Sequence, residues 1–511
     1  MTCDPDAPGS NTVRTGNPAS NAEIFSSAEE YPYTMPPRST ILKITCLCLA
    51  LFGKAEIAMG QNNEDSELTR ITAEIDAIRE KHGMASAYLV LVDRNKTLLS
   101  KGMGIRTWED TRAVDDESYY RLGSVTKAFT GLALLKAEEQ GCLRLTDPVA
   151  PISAPYIYRS RWEDTHPLTV AMFMEHTAGI HEMSREEFDF NDVVSLEEAL
   201  HVKPESRTSV WQPGTHSEYS NSGPGVAGWL LQQGCDKDFD RFIEENVFRA
   251  LDMPSATLNR TPEVAKTLVG GYNTDPKEPI EYWNFIFRPA GAANVKPIEM
   301  GNFVRMLLNR GMHNGKSVFT AQQIDRMETP TTTIAASAGL DYGYGLGIYA
   351  ENKRGHVFFG HGGDADGYLS RFSYSKESGK GFFVVITMFD FKPMREMRDV
   401  LQAWMLQDLP EHTLPERHKL SEEQIAHITG TYNRATVRFP REDWQRETLI
   451  VSRRGQRIGY KCRDDDWCEL VPVTDELFRG LKEPVATKAI VATDGQMILQ
   501  GAMGNWSKQD E

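Results

Sequence analysis

Long apolar runs are scarce in this 511-residue chain. The run from Ile41 to Phe52 is interrupted by Lys43 and is shorter than the about 20 residues that a helix needs to cross a bilayer, so no stable membrane span is expected. A basic surplus is also missing. The net charge is −16 and no basic patch stands out, which argues against nucleic acid as a partner. Cysteine is sparse, at seven residues, and with no Cys-x-x-Cys among them structural zinc is not expected. There is no Gly-x-Ser-x-Gly turn of the α/β-hydrolase kind. His176 and His181 lie near Glu182 without forming His-Glu-x-x-His, so no metal is expected there. With no glycine-rich phosphate cradle, internal repeat or cofactor motif, the expectation is a chain without cofactor that acts through its own side chains.

What remains is the composition of a globular protein, 40% hydrophobic and 25% charged. At this length two or more domains are expected. Residues 1–34 are polar and aperiodic. From Met35 the pattern changes to Arg38, the apolar run, and small residues at Ala58 and Gly60 before Gln61. That order is the grammar of a secretory signal cleaved before Gln61, with a start at Met35. It implies a periplasmic or secreted protein; the rival reading is a buried N-terminal helix. Cys3, Cys46 and Cys48 would leave with the signal. Cys142 and Cys235 read as isolated buried thiols, and Cys462 and Cys468, flanking a short polar turn, as a small disulfide.

Periodicity divides the rest into residues 61–408, a linker at 409–420 and a tail at 421–511. Leu68, Ile71, Ile75 and Ile78 predict a helix over 65–81. A hairpin follows over 87–100, and then a helix from Ser124 to about Gln140, stopped by Gly141. Residues 142–250 read as helical and loop-rich. Strands are expected at 342–349, 355–359, 369–374 and 382–388, closed by a helix at 392–408. Strands at both ends with helices between predict an α/β (α+β) sandwich around a mostly antiparallel sheet with a helical subdomain. Alternation in the tail, with its Asp494-Gly495 turn, predicts a small all-β domain.

The chain is organised around Tyr120-Arg-Leu-Gly-Ser124-Val-Thr-Lys127. Lys127 lies one helical turn from Ser124 on the same face. A serine needs a neighbour to take its proton, and a lysine can do so only if burial or nearby positive charge lowers its pKa. Backbone N–H groups at a helix start also face any oxyanion formed at Ser124. A second Ser-x-x-Lys, Ser373 to Lys376, falls in a strand-like segment where i and i+3 point to opposite faces.

Tyr219-Ser-Asn221 follows a Pro-Gly turn that can project a phenol and an amide into a cleft. Tyr219, drawn toward phenolate by a lysine, would act as base and then acid, and Asn221 would orient substrate and contact Lys127. Tyr282-Trp-Asn284 is the competing copy and reads as core packing. His361-Gly-Gly363-Asp364 reads as a turn between strands. Its glycines would let a substrate lie against a strand edge, the N–H groups of Ser124 and Asp364 would form an oxyanion hole, and His361 would gain charge toward a substrate carboxylate as pH falls to 6. His313-Asn-Gly315 has the same spacing and reads as a plain turn.

Ser124-x-x-Lys127, Tyr219-x-Asn221 and His361-x-Gly363, in that order, resemble the penicillin-recognising serine hydrolases. The group in question holds class C β-lactamases, D-Ala-D-Ala carboxypeptidases, D-aminopeptidases and related esterases. Glu138 to Pro148, Met174 to Ile180 and Tyr344-Gly-Leu-Gly347 are similar to its framework signatures, and the likeness runs over about residues 65–408. The tail is similar to β-barrel domains appended to some of these peptidases. The resemblance implies a catalytic Ser124, Lys127 and Tyr219, substrate-binding Asn221, His361 and Gly363, and an acyl-enzyme formed on an amide or ester of a small-molecule or peptide substrate. Class C β-lactamases carry Lys-Thr-Gly where this chain has His361-Gly-Gly363. That difference favours a D-amino-acid peptide, amide or small ester as substrate. A genuine β-lactamase and a weakly catalytic penicillin-binding or sensor protein stay open, as does the oligomeric state.

Overall fold

Ser86–Asp93 (β1) is apolar almost without interruption because the layers on both of its faces are protein. A strand covered on both sides loses the polar alternation of a half-exposed one. The structure is a computed structural model that describes residues 65–152, 158–439, 447–461, 467–493, 495–501 and 504–509. The leader expected before Gln61 and Cys462 lie outside them. The chain divides into two units at about residue 70, the larger running from Ile71 to Glu511.

The helix expected over residues 65–81 (α1) is present over that span. β1 then pairs with Thr97–Gly104 (β2). Two-residue strands follow at Tyr120–Arg121 (β3), which pairs with Asn294–Val295 (β4), and at Met312–His313 (β5), which pairs with Lys316–Ser317 (β6). Tyr349–Lys353 (β7), His356–Ala365 (β8), Tyr368–Tyr374 (β9) and Lys380–Ile386 (β10) complete a six-stranded sheet in the order β2-β1-β10-β9-β8-β7. Every pairing in it is antiparallel. Between β2 and β7 lies a helical region built around Thr126–Glu139 (α2). The α2 helix is buried almost all round, which is why its sequence reads as apolar on every face. Among the described residues no helix is long and apolar enough to cross a membrane.

The tail is a closed barrel of eight antiparallel strands, from Gly430–Arg434 (β11) through Thr448–Arg454 (β12), Arg457–Lys461 (β13), Trp467–Pro472 (β14), Leu477–Arg479 (β15), Lys488–Thr493 (β16), Gln496–Gln500 (β17) and Asn505–Lys508 (β18). β11 pairs with β18, so no sheet edge is left open. Tyr432, Leu449, Ile458, Leu470, Phe478, Leu499 and Trp506 fill its core together with Ile425 and Ile428 of the preceding helix. Side chains suffice to fill a barrel of eight strands.

Three expectations are corrected here. Cys142 and Cys235 are not free thiols. They form a disulfide with Cα atoms 4.9 Å apart, a pairing invisible in sequence because 93 positions separate them. Residues 342–348 are not a strand: a Cβ on Gly347 would lie 2.3 Å from the Lys127 carbonyl oxygen, so this stretch packs as a loop on α2 and β7 starts only at Tyr349. His361 to Asp364 lie inside β8 rather than in a turn between strands. Cys468 is disulfide-bonded.

Candidate active site

Ser124 lies in a single 3₁₀ turn, Gly123–Val125, that leads directly into α2. The turn is seated against β8. Gly123 has φ +52°, and a Cβ there would lie 2.7 Å from the Asp364 backbone nitrogen. A Cβ on Gly363 would lie 1.9 Å from the Leu122 carbonyl oxygen, which instead accepts a hydrogen bond from Ser370 Oγ at 2.7 Å. Only glycine permits that approach.

Lys127 is fully buried. Its Nζ donates to Ser124 Oγ at 3.0 Å, to Asn221 Oδ1 at 2.7 Å and to the Ala290 carbonyl at 2.7 Å. Burial lowers its pKa to about 7; the charge of Arg438 pushes the same way, while Glu182 and Asp364 oppose. In the neutral amine, Asn221 and Ala290 can take the two hydrogens and leave the lone pair for Ser124. Desolvation thus leaves this lysine able to accept a proton near neutral pH.

Asn221 stands at the start of a second helix, Ser222–Cys235, whose first turn meets the first turn of α2 through the Lys127–Asn221 bond. Tyr219 precedes it with its ring 4.9 Å from Lys127 Nζ. Burial pushes the Tyr219 phenol well above its ordinary pKa, and its hydrogen bond with Ser124 only partly offsets this. The expectation of a phenolate is therefore corrected. Tyr219 is a phenol in this site, and Lys127 is the group poised to accept a proton.

The barrel builds the wall behind these residues. Gln500 Nε2 donates to the Thr215 carbonyl at 3.1 Å, Asn505 Nδ2 to the Ser217 carbonyl at 2.6 Å, and Thr436 Oγ1 to Glu218 Oε2 at 2.7 Å. Beyond β11 the chain enters the site itself. Arg438 stacks over Tyr219 at 4.7 Å and its Nε donates to Glu182 Oε2 at 2.9 Å. Glu182, whose side chain is fully buried, accepts from the Asn221 backbone N–H at 2.7 Å and from Asn221 Nδ2 at 3.2 Å. One chain of polar contacts therefore links Arg438, Glu182, Asn221, Lys127 and Ser124.

On the facing strand His361 is buried. Its Nδ1 faces the Gly362 carbonyl, which can only accept, so Nδ1 carries the hydrogen and Nε2 accepts from Tyr344 Oη at 2.7 Å. Burial and then the Lys127 charge hold its pKa down to about 3. The expected gain of charge near pH 6 is thereby corrected. Accordingly, the ratio of kcat/KM for a carboxylate-bearing substrate to that for its uncharged analogue should stay constant within about twofold from pH 8 to pH 6. A rise toward pH 6 that His361→Gln removes would instead show that His361 titrates there.

Residues 71–403, well over half of the chain, match the family model described as Beta-lactamase. The chain belongs to the beta-lactamase family. "Protein flp" of Staphylococcus aureus strain MW2 is 26% identical over 220 residues, 40% of this chain and 42% of that protein. The chain thus spans well under half the length of the curated relatives it matches first. Two solved structures have the same fold: the octameric penicillin-binding protein homologue from Pyrococcus abyssi (TM-score 0.57, 19% identity, 86% of this chain and 100% of that one) and a Yersinia pestis beta-lactamase/D-alanine carboxypeptidase complexed with citrate (TM-score 0.54, 18% identity, 64% and 95%).

In this beta-lactamase-family chain the competing motif copies have other partners. Ser373 is buried in β9, and Lys376 Nζ is bonded to Glu328 at 2.9 Å. His313 bonds Asp252 at 2.9 Å beside the β5–β6 turn. Tyr282 is not simply core. It is stacked against Arg121 at 4.2 Å and Arg260 at 4.8 Å and lines a surface cavity with Asn259 and Asn284. Sequence reasoning missed Glu182 as an organiser of Asn221, and it missed Arg438 and Tyr344. It also missed His176, whose Nδ1 accepts from the Ser220 N–H at 3.3 Å and whose ring centroid lies 4.3 Å from that of Tyr219. The order of motifs signals Ser124, Lys127 and Tyr219, but nothing in the sequence pairs Arg438 with Glu182, 256 positions away.

Proposed function

We propose that the protein is a serine hydrolase that cleaves an amide or ester through an acyl-enzyme on Ser124. The observation that carries this is a fully buried lysine amine, with a pKa near 7, at 3.0 Å from Ser124 Oγ. In this reading Lys127 accepts the Ser124 proton as the hydroxyl attacks the carbonyl. The backbone N–H groups of Ser124 and Asp364 hold the oxyanion. Tyr219, hydrogen-bonded to Ser124, relays a proton to the leaving group, and Asn221 orients the acyl amide. Gly363, expected to line the substrate, instead seats β8 against the Ser124 turn, because a Cβ there would lie 1.9 Å from the Leu122 carbonyl oxygen. His361 stays neutral, so the site has no fixed cation where class C β-lactamases have lysine. For that reason the reading favours a D-amino-acid amide or a small ester, which bring no carboxylate to this position, over β-lactams, which do.

A panel of D-amino-acid amides, short-chain esters and a chromogenic cephalosporin tests this. Turnover of the amides or esters, at least tenfold better in kcat/KM than that of the cephalosporin, is the expected result. Preferential cephalosporin turnover would make the protein a β-lactamase. Stable penicillin labelling without turnover of any of them would make it a binding or sensor module. We further propose export to the periplasm or medium, for which secreted material should begin at Gln61. An N-terminus at Met1 or Met35 on the mature protein would overturn that.

A further inference from the structure

Away from the nucleophile, at the other end of β8, two imidazoles converge on one carboxylate. His356 Nδ1 lies 2.9 Å and His412 Nε2 3.0 Å from the same oxygen, Glu377 Oε2. The three candidate ligand atoms lie within 4.8 Å of one another. His356 opens β8, Glu377 sits in the β9–β10 turn, and His412 belongs to the segment between the sheet domain and the barrel. We propose that His356, Glu377 and His412 form a binding site for a divalent transition metal, with Zn²⁺ as the ion that fits.

The donor set points to this class. Two neutral imidazole nitrogens and one carboxylate oxygen suit Zn²⁺ and its neighbours, whereas Mg²⁺ and Ca²⁺ take oxygen ligands. Bond lengths of about 2.0–2.1 Å place tetrahedral ligands ~3.3 Å apart, close to the two His–Glu separations already present. Each imidazole need only move its hydrogen to its other ring nitrogen to turn a donor into a ligand. Access is open: His412 and Glu377 keep 30% and 33% of their side-chain surface exposed, while His356 at 9% is held by its surroundings. Water can supply the fourth ligand. Lys376, the adjacent cation, is bonded to Glu328 at 2.9 Å and does not compete for Glu377.

The position gives the site a use that does not depend on the hydrolase reading. Three residues after His412, the Pro415 carbonyl accepts from Arg479 Nη2 of β15 at 2.8 Å. A metal on His412 would fix the connecting segment to the sheet immediately before it is fixed to the barrel. The barrel would then be held more firmly at its point of entry.

The test uses the full chain, stripped with chelator and titrated with Zn²⁺ alone by calorimetry, with metal content measured after dialysis. One equivalent per chain is expected, together with a higher Tm and slower proteolysis between residues 409 and 420. His412→Ala and Glu377→Gln, both distant from Ser124, should each weaken Zn²⁺ binding by about a hundredfold and remove the gain in protease resistance. Their circular dichroism and active-site labelling should match the parent. Absence of saturable binding by the parent would overturn the proposal, as would equal binding by both folded variants.

Discussion

Ser124→Ala should lose covalent labelling by a fluorophosphonate or penicillin probe and should reduce kcat on any turned-over substrate by about three to six orders of magnitude. Its hydroxyl is the one that Lys127 addresses at 3.0 Å, and a methyl group cannot form an acyl-enzyme. Ser373→Ala provides the control, because Ser373 is buried in β9 and Lys376 is committed to Glu328. That control should label and turn over within about twofold of the parent when corrected for folded fraction. Intact labelling of the Ser124 variant would place the nucleophile elsewhere and end the acyl-enzyme reading.

Arg438→Ala should lower kcat/KM at pH 7 by about a hundredfold, with a change in the pH profile that simple destabilisation does not give. The variant loses a positive charge that helps depress the Lys127 pKa, and it leaves Glu182, which pushes that pKa up, without its guanidinium. Both changes act in one direction. The Lys127 pKa rises from about 7, so the fraction of free amine at pH 7 falls and the acid limb of the kcat/KM profile moves up by about one pH unit. The rest of the loss comes from Asn221 and Tyr219, which Glu182 and the Arg438 stack hold in place. Because the Arg438 side chain is 38% exposed, the stability cost is discounted to about 1 kcal/mol. Arg438→Lys should keep the acid limb within about half a unit while recovering only part of kcat, since an ammonium cannot reproduce the planar stack and fork. An unchanged acid limb in Arg438→Ala would reduce this arginine to a structural role.

Ser124 and Lys127 were legible because helical spacing is local: one turn of chain brings i and i+3 together whatever surrounds them. β1 and β2 were legible through a short turn, and the tail through its alternation. Legibility ended where distant segments decide the chemistry. His361 looked titratable because its spacing is visible and its burial is not. Tyr219 looked like a phenolate because proximity to lysine was weighed without the desolvation that outweighs it. Residues 342–348 looked like a strand because alternating aromatics and glycines mimic one, whereas the glycines serve close contact with α2. Arg438 carried no signal, since an arginine in an exposed-looking loop is ordinary until the fold places it over a tyrosine.

The Cys142–Cys235 bridge makes the stability of one helix pair depend on redox state. It joins the far ends of the two helices whose first turns carry Lys127 and Asn221. The pair is therefore tied twice, by a buried hydrogen bond at the reactive end and by a covalent bond at the other. Closing a loop of 93 positions removes disorder from the unfolded chain equivalent to about 4–5 kcal/mol in the chain-entropy account. A thiol reductant would therefore lower the stability of this helix pair without contacting Lys127 or Asn221. In a glutathione-buffered compartment this helix pair would have to keep its spacing by packing alone, whereas an oxidising one fixes it once, at folding.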